Sequence, residues 1–223
     1  MKSLIDIDKR VSSYIFYHGS DIVQKNSKWR GALTKIWKLI SLTNDGILWV
    51  AMFPGLVYYS REVHRLGYTK GNNSLYAVFK PNNVNFLYLC LFVDLCLIYT
   101  VKNTFKRVRP YGSVHMDQEK KNNRTILELD IGPDKFSFPS GHSSRAMVIT
   151  GCAILLHHKS PNSVTANVSA ALAVWCATIG ISRVCLGRHY VTDVIAGLVL
   201  GAFDICVGSF ICSKIPVKKY FLF

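Results

Sequence analysis

The sequence predicts an all-α protein, a multi-pass transmembrane helical bundle of about five spans preceded by amphipathic helices. Three observations carry that expectation. Half of the 223 residues are hydrophobic and only 18% are charged, below the roughly 25% usual in soluble domains. The apolar residues fall into blocks at 46–59, 85–101, 144–157, 164–181 and 194–212, and these lack the polar stripe that a soluble helix keeps toward water. The charges that remain are strongly basic, 27 Lys and Arg against 13 Asp and Glu for a formal net charge of +14, and they gather between the blocks.

Taken in order, Leu4, Ile7, Val11 and Ile15 fall at helical spacing, and Leu33, Ile36, Trp37 and Ile40 do so again among Lys25, Lys28, Arg30, Lys35 and Lys38. Both stretches read as amphipathic helices lying on anionic lipid headgroups. A basic segment that leads into membrane spans does not call for nucleic acid as its partner. No long apolar run precedes residue 43, so no cleavable signal peptide is expected, and Lys2 after Met1 excludes N-myristoylation. The expected organisation is a basic segment over 1–43, a membrane-embedded domain over 44–213 whose apolar blocks follow the turn residues Thr43, Asn44 and Asp45, and a basic tail over 214–223. Several blocks are shorter than the ~20 residues of a full span, and interfacial Trp49, Tyr58, Tyr59, Tyr88 and Tyr99 extend them. Gly197 and Gly201 form a GxxxG, while Ser169, Ala170, Ala173 and Ala177 line the fourth block; small residues at this spacing let helices approach closely. The cysteines at 90, 96, 152, 176, 185, 206 and 212 lie in or beside apolar runs with no CxxC pair, and read as small hydrophobes rather than zinc ligands or bridges.

Three stretches are too polar for their surroundings, and each abuts the end of an apolar block: KNTFKRVRP at 102–110, FPSGH at 138–142 and SRVCLGRHYVTD at 182–193. If the spans alternate in direction, all three lie on one side of the membrane. Together they offer three cations (Lys102, Arg109, Arg183), two imidazoles (His142, His189) and one carboxylate (Asp193). Arg and Lys together suit a phosphate. Ser140, Gly141 and His142 open a helix whose backbone N–H groups make an anion site, and Gly141 lets the backbone come close to a ligand. His189 and Asp193, four apart, share a helical face on which the carboxylate can hold one ring nitrogen and leave the other free to attack. Bland readings suit the rest: Lys106, Arg107 and Arg188 snorkel to headgroups, and His18, His64, His115, His157 and His158 are structural.

These stretches resemble the signature of the type 2 phosphatidic acid phosphatase superfamily, which also includes bacterial acid phosphatases and vanadium haloperoxidases. Its three parts are complete here, K-x6-RP at 102–110, PSGH at 139–142 and SR-x5-H-x3-D at 182–193. The resemblance implies a bundle of that superfamily's type and an integral membrane phosphatase that needs neither metal nor cofactor. It implies that His189 is the nucleophile and forms a phosphohistidine, that Asp193 orients and charges it, and that His142 protonates the leaving group and then activates water. Lys102, Arg109, Ser140, Gly141 and Arg183 would bind the phosphoryl oxygens. The short chain, with FPSGHSSRA and SRVCLGRHYVTD, is similar to the polyisoprenoid diphosphate phosphatase branch that includes presqualene diphosphate phosphatase. Lipid phosphate phosphatases acting on phosphatidate or sphingosine phosphate are the alternative substrate class. A vanadate-binding haloperoxidase and a catalytically inactive membrane scaffold are the alternatives of other kinds; the membrane spans oppose the first, and the completeness of the motifs opposes the second.

Three further expectations concern the surroundings of the site. Asp94 and Asp204 sit inside apolar blocks, where a charge is expensive, and Asp94 is expected to pair with Arg145. Residues 111–138 are long for a connection and are expected to cover the site as a lid. Finally, 18 Lys and Arg fall on the side of the motifs against 8 on the other. By the positive-inside bias the site then faces the cytosol, in an endoplasmic reticulum or nuclear-envelope membrane. The sequons at Asn72 and Asn123 fall on opposite sides.

Overall fold

A computed structural model describes residues 2–19, 32–65, 80–110 and 136–214. Most of the expected lid (111–135), both sequons and most of the basic tail lie outside the described residues. Among the described residues seven α-helices follow one another: α1 (Lys2–Gly19), α2 (Ala32–Leu42), α3 (Gly46–Arg65), α4 (Pro81–Phe105), α5 (Gly141–Lys159), α6 (Ser163–Cys185) and α7 (Val191–Lys214).

Local sequence explains where they begin and end. Pro81 opens α4, where a missing N–H costs nothing. Ser140 caps α5 by accepting from the Ser143 N–H, and Asn162 with Thr165 forms a reciprocal capping box on α6. Between α6 and α7, Gly187 adopts a positive φ of 63°, which a residue without Cβ takes without strain. That tight turn is what brings His189 and Asp193 back against the end of α6.

The five long helices α3 to α7 alternate in direction, so the start of α3, the end of α4, the start of α5, the end of α6 and the start of α7 share one end of the bundle. Helix α5 lies at the centre, packed on α4, α6 and α7. Phe86 and Cys90 of α4, Val148 and Cys152 of α5, and Ile205 and Cys212 of α7 form one core cluster. Ala146, Cys176 and Ile179 form another between α5 and α6. The GxxxG of α7 does the packing expected of it: a Cβ at Gly197 would overlap the Ser140 carbonyl oxygen, and one at Gly201 that of Ser144. All seven cysteines are free thiols.

This is a multi-pass membrane protein, and among the described residues fewer helices than the expected five are by themselves long and apolar enough to cross a membrane. Helices α4, α6 and α7 are each long and apolar enough to cross a membrane. A fourth span results if α2 and α3 are taken together as one path bent by 43°. Helix α5, expected as the third span, falls short of that measure: it carries Arg145, His142, His157 and His158 as well as the buried Ser143, Ser144 and Thr150. Its central place lets other helices satisfy them, as when Thr150 Oγ1 donates to the Leu172 carbonyl at 3.0 Å.

Two further expectations change. Asp94 does not pair with Arg145. It accepts from the Ser144 hydroxyl, which also lies 3.4 Å from an Asp204 carboxylate oxygen, all three buried between α4, α5 and α7. Arg145 instead donates to the Asn44 carbonyl at 3.0 Å and lies against Gly46. Helix α2 is also not merely a surface helix. Its buried Thr34 and Ser41 face the bundle, and it packs on α6.

Candidate active site

Three hydrogen bonds sew the motif-bearing segments together at the shared end of the bundle. Helix α4 ends as Lys106 takes a left-handed conformation (φ 45°) and donates its N–H to the Lys102 carbonyl. That turn sends the chain past the site, where the Ser137 N–H donates to the Arg107 carbonyl at 2.8 Å. At the other edge the Ser140 N–H donates to the main-chain oxygen of Asp193 at 2.9 Å. The starts of α5 and α7 are thereby held in register, and the Gly197 contact closes the same seam one turn deeper.

His189 sits within this frame, buried, with its Nδ1 2.7 Å from the Ser137 carbonyl oxygen. A carbonyl can only accept, so Nδ1 carries the proton and Nε2 keeps its lone pair. Burial holds the imidazole pKa well below its usual value, and the nearby positive charges of Arg183, Arg109 and Lys102 depress it further. The ring is therefore neutral at neutral pH, the form in which Nε2 is a nucleophile. His142 lies near enough to feel the charges of Arg183, Lys102 and His189. Lys102 and Arg183 are buried at the ends of α4 and α6. Ser140 is buried at the α5 cap. A Cβ at Gly141 would meet only Ile98, at 3.5 Å, so the protein does not crowd that backbone. Every candidate phosphate-site residue named from the sequence thus lies at this end of the bundle.

Asp193 lies beside His189 without a hydrogen bond to its ring. Its carboxylate is 3.8 Å from His189 Nδ1, beyond hydrogen-bond reach; the ring is held by Ser137, and the carboxylate contributes charge beside it. Its own partners are the Tyr190 N–H at 2.9 Å and Arg107 Nη1 at 2.6 Å. Arg107, read from the sequence as a snorkelling cation, is an anchored group. It donates to Asp193, to Thr192 Oγ1 at 2.8 Å and to Asp8 of α1 at 2.7 Å, and its guanidinium lies 4.1 Å from the Tyr190 ring centroid. The carboxylates on both sides of Arg107 supply the reason: paired charge at a protein surface outcompetes headgroups.

Four supporting residues escaped the sequence reading besides Arg107. The Ser137 carbonyl orients His189, a role any residue type can fill and no pattern reports. Asn44, buried at the α2–α3 turn, donates its side-chain amide to the His142 carbonyl. Ser41 accepts from Arg183, and Asp8 holds Arg107. The last three lie in the segment that precedes the motifs, where the only available signal was a polar residue on an otherwise periodic helix face or in a turn. Among the described residues no group of three or more His, Cys, Asp or Glu side chains is placed to hold a metal ion.

Residues 83–213 match the family described as the PAP2 superfamily. The chain is 30% identical over 136 residues to a probable lipid phosphate phosphatase beta of Arabidopsis thaliana, covering 52% of this chain and 59% of that one. It is 32% identical over 120 residues to an undecaprenyl-diphosphatase of Sulfolobus acidocaldarius, covering 53% and 50%. It is also 41% identical over 80 residues to phosphatidylglycerophosphatase B of Bacillus subtilis, covering 32% and 36%. The matches thus span about half the length of these relatives or less. Among solved structures, a transmembrane PAP2-type phosphatidylglycerolphosphate phosphatase from Bacillus subtilis superposes with a TM-score of 0.63 at 21% identity, covering 96% of this chain and 89% of the other. LpxE of Aquifex aeolicus does so with 0.54 at 16% identity, covering 90% and 93%. The chain belongs to the PAP2 superfamily.

Proposed function

We propose that the protein is a membrane lipid phosphatase that removes phosphate from polyisoprenoid diphosphates and monophosphates, of the presqualene, farnesyl or geranylgeranyl type, by way of a phosphohistidine and without a metal ion. The observation that carries this reading is His189, whose Nδ1 is committed to the Ser137 carbonyl while Nε2 stays free among three cations. In this scheme His142 enters protonated, the charge of the bound phosphate offsetting the burial and cations that otherwise hold its pKa down; Nε2 attacks phosphorus and the bond to the leaving oxygen breaks, that oxygen taking the proton from His142. Water then gives a proton back to His142 and attacks the phosphohistidine, releasing phosphate and restoring both rings. Lys102, Arg109, Arg183, the Ser140 hydroxyl and the Gly141 N–H bind the phosphoryl oxygens and stabilise the charge that spreads over them in the transition state. Asp193 favours the positive ring that forms on His189 during the attack.

The isoprenoid reading draws support from the relative named an undecaprenyl-diphosphatase. The names lipid phosphate phosphatase and phosphatidylglycerophosphatase favour the second reading, a phosphatase for phosphatidate or sphingosine phosphate. An inactive scaffold is disfavoured because no motif residue is replaced. Phosphate release by purified protein in detergent, with chelator present, from farnesyl diphosphate and from phosphatidate in parallel tests all three. Faster turnover of the diphosphate supports the proposal, faster turnover of phosphatidate the second reading, and none with either substrate the scaffold.

The basic excess on the catalytic side argues for a cytosolic site in an endoplasmic reticulum or nuclear-envelope membrane. Expression in endoplasmic reticulum membranes tests it through the sequons: sugar on Asn72 supports the cytosolic site, and sugar on Asn123 reverses it.

A further inference from the structure

Helix α7 carries both Asp193 and, just before it, His189, yet no side chain of its own segment caps its first two amides. An α-helix leaves its first N–H groups without internal partners. In α7, Asp193 and Val194 donate to the Tyr190 carbonyl at 3.1 and 3.2 Å, and the Asp193 carboxylate takes the Tyr190 N–H. The amides of Val191 and Thr192 go elsewhere. Val191 donates to Ser12 Oγ at 3.0 Å and Thr192 to Asp8 Oδ1 at 3.2 Å. The same Asp8 accepts from the Thr192 hydroxyl and from Arg107, the cation that holds Asp193. Ser12 and Asp8 are one turn apart on α1 and hydrogen-bonded to each other at 3.4 Å. Both are buried although α1 is otherwise well exposed: Leu4 is 69%, Ile7 56% and Tyr14 66% accessible. Helix α1 packs on α6 and α7, with most of its apolar side chains turned outward and its polar edge meeting the start of α7.

From this geometry we infer that Asp8 is a positioning residue for the hydrolytic reaction: with Ser12 it caps α7 from another helix, and through Arg107 it fixes the carboxylate of Asp193 beside His189. A carboxylate at a helix N-terminus is favoured by the helix dipole, and a side-chain oxygen on an early amide is what an N-cap residue normally supplies from within the chain. Here that oxygen comes from about 180 residues away in sequence, so the geometry of the catalytic turn depends on α1 being docked. Arg107 is held between two carboxylates, Asp8 and Asp193, and losing Asp8 frees it to change its angle on Asp193. The outward apolar face of α1 fits a bilayer surface, so contact with lipid and order at the catalytic turn favour the same position of the helix.

The inference rests on the phosphatase reading for its kinetic consequence but not for its structural one, and two measurements keep these apart. In the full chain in detergent, Asp8→Ala should lower kcat about tenfold, less than the ~100-fold that an ångström-scale misplacement of a reacting group produces, while KM stays within about twofold. Asp8→Asn, which keeps an acceptor for Thr192 but not the charge facing Arg107, should fall between, and Asp8→Glu should recover most of the activity. Hydrogen exchange at the Val191 and Thr192 amides should accelerate in Asp8→Ala whatever the substrate. A wild-type protein that hydrolyses nothing removes the phosphatase reading and leaves the exchange result to judge the cap. A folded Asp8→Ala protein with wild-type kcat, or with unchanged exchange at these two amides, overturns the inference. Should Asp8→Ala not fold, Ser12→Ala removes one acceptor alone and should accelerate exchange at Val191; unchanged exchange there overturns it equally.

Discussion

The helices that carry the motifs and the helices that precede them meet at one site but contribute in opposite ways. Helices α4 to α7 supply every group expected to touch phosphate, and they supply it from helix ends, where backbone geometry aims side chains at a common point. Helices α1 and α2 and the turn into α3 supply none of these groups. They hold the first set in place: Asp8 on Arg107, Ser41 on Arg183 and Asn44 on the His142 carbonyl. Chemistry in this fold is local and repeated in pattern, while support is long-range and made by unremarkable residues, so the two should fail differently under mutation.

The largest effect should come from the motif side. His189→Ala removes the nucleophile, and phosphate release should fall by ~10³-fold or more; His142→Ala should fall by about 10²–10⁴-fold, the range for a general acid and base. Single-turnover phosphate release on detergent-purified, monodisperse protein checks both. Substantial activity in His189→Ala would remove the phosphohistidine from the scheme. Next comes the seam between the motif helices. In Gly201→Ala the added methyl meets the Ser144 carbonyl and the Met147 side chain, and overpacking of this kind costs about 1–3 kcal/mol. Thermal unfolding should shift down even though no catalytic group is touched, and a wild-type melting curve would mean that α5 and α7 can separate freely.

On the support side, Asn44→Ala should act more mildly. Asn44 is fully buried, and deleting its amide removes a hydrogen bond to the main chain of His142, at a cost of about 1–3 kcal/mol for the group left behind. The consequence for kcat should be about tenfold, through a small displacement of the imidazole. Steady-state kinetics decide it, and a loss as large as that of His142→Ala would mean that Asn44 touches substrate, which would erase the distinction between the two regions.

How much of this could be read in the sequence follows the same division. The site was legible because a phosphate must be met by cations and imidazoles at fixed offsets from helix ends, so Lys102, Arg109, His142, Arg183, His189 and Asp193 stand out by spacing alone. The bundle was legible from its apolar blocks, but not the place of α5, because the block at 144–157 reads like the others and apolarity alone does not tell a helix facing lipid from one enclosed by other helices. Asp94 was rightly marked as needing a partner, and the partner was misjudged. Helical periodicity places Arg145 near the PSGH turn but cannot reveal that Ser144 and Asp204 lie closer across the helix seam. Arg107 and Asp8 were invisible for a related reason: each looks ordinary on its own helix, and only the fold brings them together. The Ser137 carbonyl could not have been found at all, since a main-chain acceptor leaves no trace in residue identity.

The smallest effect is a shift in titration, and it tests whether the support reaches the electrostatics of the nucleophile. Burial first, then Arg183, Arg109 and Lys102, hold the His189 pKa down in the phosphate-free protein. The sign is that the charged ring is disfavoured: Nε2 stays deprotonated through the pH range, around 6.5, in which a free imidazole becomes half protonated, and it gains a proton only at more acid pH. Carbethoxylation of His189, followed by mass spectrometry against pH with N-acetylhistidine in the same tube, should therefore lose half its rate at lower pH than the free imidazole does. Ser41 accepts from Arg183, so Ser41→Ala releases one tether on the cation that depresses the ring most strongly. With that charge free to move toward solvent, the His189 midpoint should rise toward that of the free imidazole while remaining below it, because burial persists. A midpoint unchanged in Ser41→Ala would show that α6 fixes Arg183 without help, and the role of α2 would then end at packing.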